Sequence, residues 1–116
     1  MIRLSIPFPP STNRIWRHVG AKVLLSKEGR AYRARVAEAV MIARVQGLGR
    51  APVVLTIHAS MPDARRRDLD NLLKAAQDAM QAARLYEDDS QIVDLRIRRA
   101  GIDRVNPRLD VVLEAA

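Results

Sequence analysis

At 116 residues the chain has room for one domain, residues 1–116, able to bury about two-thirds of its unfolded surface. It has no cysteine, which excludes disulfides and thiolate metal sites; with only 3% aromatics against 48% apolar residues, the core must be aliphatic. The net charge of +7 is carried by arginine except at Lys22, Lys27 and Lys74 and points to a polyanionic partner, because guanidinium forks match phosphate oxygens.

The opening MIRLSIPFPP lacks the apolar core of a signal peptide, and no stretch approaches a membrane span, so no membrane partner is expected. Ile2, Leu4 and Ile6 alternate with Arg3 and Ser5, the pattern of a strand with one buried face. Pro7-Phe8-Pro9-Pro10 ends it, since proline cannot donate to a ladder. Ser11 to Asn13 continue the turn. Asn13, Arg14, Arg17 and His18 surround the only tryptophan, Trp16, which reads as a loop anchor in preference to a DNA contact. Gly20 suits a turn before a short strand at Lys22 to Leu25.

Ser26 is a good N-cap for a helix running to about Gln46, with Tyr32, Val36, Ala39, Val40 and Ala43 inward and Gly47 and Gly49 as its stop. Val53 to Ser60 alternate with apolar groups on both faces, which predicts a central strand. His58 within it reads as an ordinary strand histidine, and neither it nor His18 has a metal-ligand partner at a recognisable spacing. A second helix follows Asp70, with Leu72, Ala76, Met80 and Ala83 along its apolar stripe. Val93, Leu95 and Ile97, then Leu109, Val111 and Leu113, mark two more strands. The expected fold is α+β: a mixed β-sheet of about four to five strands with two main helices packed on it.

The stretch from Arg65 to Gln91, RRRDLDNLLKAAQDAMQAARLYEDDSQ, places acids at both ends of one short helix in a basic protein. Carboxylates about 4 Å apart repel by roughly 4 kcal/mol at an effective dielectric near 20, so converging ends would call for a cation. Asp68 and Asp70 flank Leu69 and share a side in extended backbone, with Asp70 at the N-cap position. Lys74 stands one turn beyond Asp70, and Asp78 one turn beyond Lys74. Each feature has a plain reading: a cap, a surface ion pair, a solvated acidic turn, a solvated arginine run. In combination they are the parts for metal-assisted phosphodiester hydrolysis, with hard oxygen ligands and a nearby ammonium.

Met61-Pro62-Asp63, Arg65-Arg66-Arg67-Asp68-Leu69-Asp70-Asn71-Leu72, Lys74-Ala75-Ala76, Asp78-Ala79 and Asp88-Asp89-Ser90-Gln91-Ile92-Val93-Asp94 resemble the RusA family of Holliday junction resolvases. Pro7-Phe8-Pro9-Pro10-Ser11 with Asn13-Arg14, Arg17-His18 and Ser26 to Tyr32 extend the resemblance over nearly the whole chain. It implies a homodimeric endonuclease that nicks four-way DNA junctions in two strands of like polarity, using Mg²⁺, with Mn²⁺ as an alternative. It places the metal-binding catalytic carboxylates at Asp68, Asp70 and Asp89, with Asp88 a weaker metal candidate, and the catalytic lysine at Lys74. A cytoplasmic, nucleoid-associated protein of bacterial or phage origin would follow. The sequence departs from the family at Gln81 to Tyr86, where relatives tend to carry a glycine, which bears on how Asp89 reaches the other two acids.

Arg65, Arg66, Arg67 and Arg14 are the candidate DNA contacts. Two other readings fit the same residues: a nuclease acting more broadly on flaps and forks, and a basic architectural DNA-binding protein whose acids only cap and solubilise.

Overall fold

A computed structural model describes all of residues 1–116. In chain order the elements are β1 (Ile2–Pro7), α1 (Thr12–Ile15), β2 (Trp16–Val19), β3 (Lys22–Leu25), α2 (Lys27–Ala43), β4 (Val53–Met61), α3 (Leu69–Ala82), a 3₁₀ turn (Asp89–Gln91), β5 (Ile92–Ile102) and β6 (Arg108–Ala115). The expected α+β class holds. One four-stranded sheet runs in the order β1-β6-β4-β5, and β2 pairs with β3 in a separate ribbon.

Alternation dictates the sheet. Ile2, Leu4 and Ile6 of β1, Leu109, Val111 and Leu113 of β6, and Val53, Leu55, Ile57 and Ala59 of β4 are all buried, in register, on one face. Tyr32 and Val36 of α2 and Leu72, Ala76 and Met80 of α3 complete that core, so both long helices cover the same side. The other face carries Arg3, Thr56, His58, Arg96, Arg98 and Asp110 and has no helix over it. β4 is central, as expected, but only its inner face is fully covered.

β6 is antiparallel to both its neighbours, whereas β4 and β5 are parallel and therefore need a crossover, which α3 supplies. That crossover sets the start of α3 at the C-terminal ends of β4 and β5. The Asp88–Asp89 segment is set at the opposite end, just before β5. β5 is an edge strand, with Val93 62% and Leu95 39% exposed.

Several local boundaries differ from the sequence reading, among them a short helix, α1, where a continuing turn was expected. Trp16–Val19 forms a strand with Lys22–Leu25, joined by a two-residue turn in which Gly20 takes a positive φ of 60°, as a type II′ hairpin requires at its first position. α2 stops at Ala43 because Arg44 itself adopts the left-handed conformation, φ 54°, ahead of the glycines. Gly47 serves a close approach between loops, since a Cβ there would lie 2.1 Å from the carbonyl oxygen of Arg84, where Leu48 N–H also bonds Leu85 O at 2.9 Å. Finally, β5 runs on to Ile102, well past the apolar alternation that announced it.

Candidate active site

The site is built on the first two turns of α3. Asp68 is the N-cap residue, in extended backbone with φ −79° and ψ 133°, and Asp70 lies in the first turn. The helix thus begins at Leu69, earlier than the sequence reading placed it, because half-buried Leu69 packs on the core and draws the chain into helix at once. The cap is made by main chain, Asn71 N–H to Asp68 O at 3.2 Å, and the Asp68 side chain takes no part. Both carboxylates are exposed, and neither forms an ion pair. An aspartate at an N-cap that does not cap is free for another ligand.

Lys74 follows one turn after Asp70. Its Nζ lies 5.2 Å from the centroid of the Trp16 ring, and the surface ion pair with Asp78 that the plain reading allowed is not made. Asp78 is engaged by Arg33 instead, Nε and Nη2 each 2.8 Å from a different carboxylate oxygen. Trp16 does anchor its segment to the body, as the sequence suggested, and it does so against the candidate lysine. The spacing signal could not reveal this, because the two residues lie on elements far apart in the chain.

Asp89 opens the 3₁₀ turn beyond α3. Gln91 clips this segment: its Nε2 donates to Gly49 O at 2.8 Å and Ala51 O at 2.9 Å, and its Oε1 accepts from Glu87 and Asp88 N–H, each at 2.8 Å. Asp88 caps the turn, accepting from Ser90 N–H at 2.9 Å and from the Ser90 hydroxyl, and these bonds hold its carboxyl below the usual range. Burial pushes the Asp89 carboxyl up, and the charges of Asp88 and Asp78 add to this. Burial also raises the Tyr86 phenol, whose hydroxyl donates to Gln77 O at 2.8 Å.

Asp89 therefore belongs to the Asp78 end of α3, and Asp78 is two turns, about 12 Å of helix, from Asp70. Within one chain no three His, Cys, Asp or Glu side chains gather as a metal-holding group. The sequence reading had all three aspartates meeting in the folded chain. The parallel crossover separates them, with Asp68 and Asp70 at one end of the strands and Asp89 at the other. A surface cavity of about 510 Å³ lined by Arg33, Asp78, Arg84, Tyr86 and Glu87 includes none of the three. Asp68 and Asp70 nonetheless suit Mg²⁺ chemically, since that ion is commonly held by one or two carboxylates, with waters and substrate phosphates completing the shell.

The three consecutive arginines part company. Arg67 is turned inward: its guanidinium meets Asp63 at 2.5 and 3.2 Å and lies 5.6 Å from the Phe8 ring centroid, while its carbonyl accepts from Arg99. It shapes the loop that delivers Asp68. Arg65 and Arg66 are exposed without ion-pair partners beside the two aspartates, and the Arg14 side chain is exposed on α1. No helix is long and apolar enough to cross a membrane.

The family profile described as "Endodeoxyribonuclease RusA" matches residues 7–114. The crossover junction endodeoxyribonuclease RusA of Escherichia coli K12 is 47% identical over 95 residues, covering 81% of this chain and 78% of the relative. The protein of the same name from Shigella sonnei is 46% identical, and that of Enterobacteria phage 82 is 45% identical, each over the same shares.

Proposed function

The chain belongs to the RusA family of endodeoxyribonucleases, and from that premise we propose that it is a Mg²⁺-dependent resolvase of four-way DNA junctions. The observation that carries this reading is a pair of uncommitted carboxylates, Asp68 and Asp70, one helical turn from an ammonium that has no carboxylate partner. Asp68 and Asp70 hold the metal, and Asp89 is the third ligand. When bound, Mg²⁺ supplies Lewis acidity toward a phosphoryl oxygen and acidifies water in its shell. Lys74 donates to the phosphoryl oxygens and stabilises the charge that develops on them. Arg65, Arg66 and Arg14 grip backbone phosphates, which position the junction without reading its bases.

The protein acts as a homodimer. Resolving a junction takes two coordinated cuts, and a two-fold pair supplies two sites related as the strands are. The unpaired edge of β5, with Val93 and Leu95 exposed, supports an antiparallel pairing of β5 with its copy. With Leu95 on the two-fold axis, Asp94 of each subunit faces Arg96 of the other, opposite charges on both sides. Such a pairing brings the start of β5 in one subunit to the end of β5 in the other. Asp89 then approaches Asp68 and Asp70 of its neighbour, closing the gap that α3 opens within one chain.

Mixing two inactive variants tests site and pairing at once. Asp70→Asn and Asp89→Asn should each bind a synthetic junction yet fail to nick it with Mg²⁺. After subunit exchange half of the dimers are mixed, each with one intact site, so about a quarter of wild-type nicking should return. Wild-type cutting by either single variant would remove that residue from the site. Two inactive variants that never complement would place each site within one chain.

A further inference from the structure

We propose that Trp16 and Arg33 are positioning residues for Lys74, Trp16 holding its ammonium over an indole face and Arg33 keeping Asp78 away from it. This rests on the role given to Lys74 above.

Lys74 stands between Asp70 and Asp78, four residues from each, so all three lie along one helix face. A lysine in that place ordinarily pairs with a carboxylate, which occupies an N–H donor and offsets the charge. Here Asp78 is removed from competition, because the Arg33 fork takes both of its oxygens at 2.8 Å. Arg33 comes from α2, so this removal is a tertiary device and not a property of α3. The ammonium instead lies 5.2 Å from the centre of the Trp16 ring. An aromatic face attracts a cation through its quadrupole without engaging a particular N–H. The donors directed away from the ring stay available for phosphoryl oxygens, and the charge stays uncompensated until substrate arrives.

The ring is held firmly enough to act this way. Trp16 begins β2 opposite Leu25 and packs on the core. The preceding turn is tied to the first turn of α3 by the Thr12 hydroxyl, which donates to Asn71 O at 3.3 Å. The same turn is tied to α2 by Ser26 N–H to Ile15 O at 2.8 Å. Trp16 Nε1 is the one buried side-chain nitrogen or oxygen without a hydrogen-bond partner.

Trp16 is the only tryptophan, so its fluorescence reports the contact independently of catalysis. Lys74→Met should change the emission of the folded protein, and unchanged emission would overturn the contact. In steady-state junction cleavage, Trp16→Leu should lower kcat by about three- to thirtyfold with KM unchanged, and Trp16→Tyr should restore most of it. Arg33→Gln should lower kcat to a similar degree by releasing Asp78 toward Lys74, and adding Asp78→Asn should recover it. A fork that only stabilises the α2–α3 contact predicts no recovery in the double variant, and that result would overturn the role of Arg33. Wild-type cutting by Lys74→Met would remove the catalytic role of the lysine itself. An inactive Lys74→Met beside Trp16→Leu and Arg33→Gln at full kcat would overturn the positioning alone.

Discussion

Arg84 provides a direct test of how the chain reaches Asp89. It follows α3 with φ 64°, in the left-handed region, within the Gln81 to Tyr86 stretch that leads toward Asp89. For an L-residue with a Cβ this conformation costs roughly 1–2 kcal/mol, and for glycine almost nothing. Glycine in turn loses more freedom on folding, by about 0.5–1 kcal/mol. Arg84→Gly should therefore stabilise the protein by about 0.5–1 kcal/mol. At roughly 2.1 cal/mol/K per residue of unfolding entropy, that raises the thermal midpoint by about 2–4 °C. Urea titration with two probes measures it, with Arg84→Ala as control, since alanine keeps the strain and removes only an exposed side chain. A gain from alanine equal to that from glycine, or a loss from glycine, would refute the strain argument.

Gly47→Ala should destabilise by about 1–3 kcal/mol in the same assay, because its Cβ would meet the rigid Arg84 carbonyl at 2.1 Å and the two loops must part. Asp63 has its carboxyl lowered to about 2, chiefly by the Arg67 side chain and next by Arg65 N–H. Its folded value lies below its unfolded value, so its contribution is complete above the unfolded value and disappears as pH falls through about 2. The urea midpoint should drop between pH 4 and 2, and Asp63→Asn should remove that part of the pH dependence. Replacing Arg65 and Arg66 by alanine should weaken junction binding and lower the salt slope by about 1–2, measured by titration across ionic strengths. Arg67→Ala should instead lower the unfolding midpoint, since its guanidinium serves Asp63 and Phe8.

Much of the molecule was legible without coordinates, because the signals involved are local. Strand alternation at Ile2–Ile6, Val53–Ala59 and Leu109–Leu113 is a period-two code that burial reads directly, and Ser26 caps α2 by accepting from Gly29 N–H at 3.0 Å, as its position foretold. The Arg65 to Asp94 block was enough to identify the family. Helix ends were less legible. Gly47 looked like a stop signal, but it was there to let another loop approach, and Arg44 ended the helix at its own expense in backbone strain.

Residue type and spacing determined the acids, the lysine and the basic surface that this chain brings to phosphodiester chemistry. Tertiary structure alone decided which identical letters do different work. Of three adjacent arginines one turns inward, of two adjacent aspartates one becomes a cap, and Lys74 meets an indole instead of the carboxylate one turn away. It also decided that Asp89 stands apart from Asp68 and Asp70. A parallel pair of strands forces the connecting helix back along their length, and helical spacing carries no information about which ends of a sheet the two acidic segments will occupy.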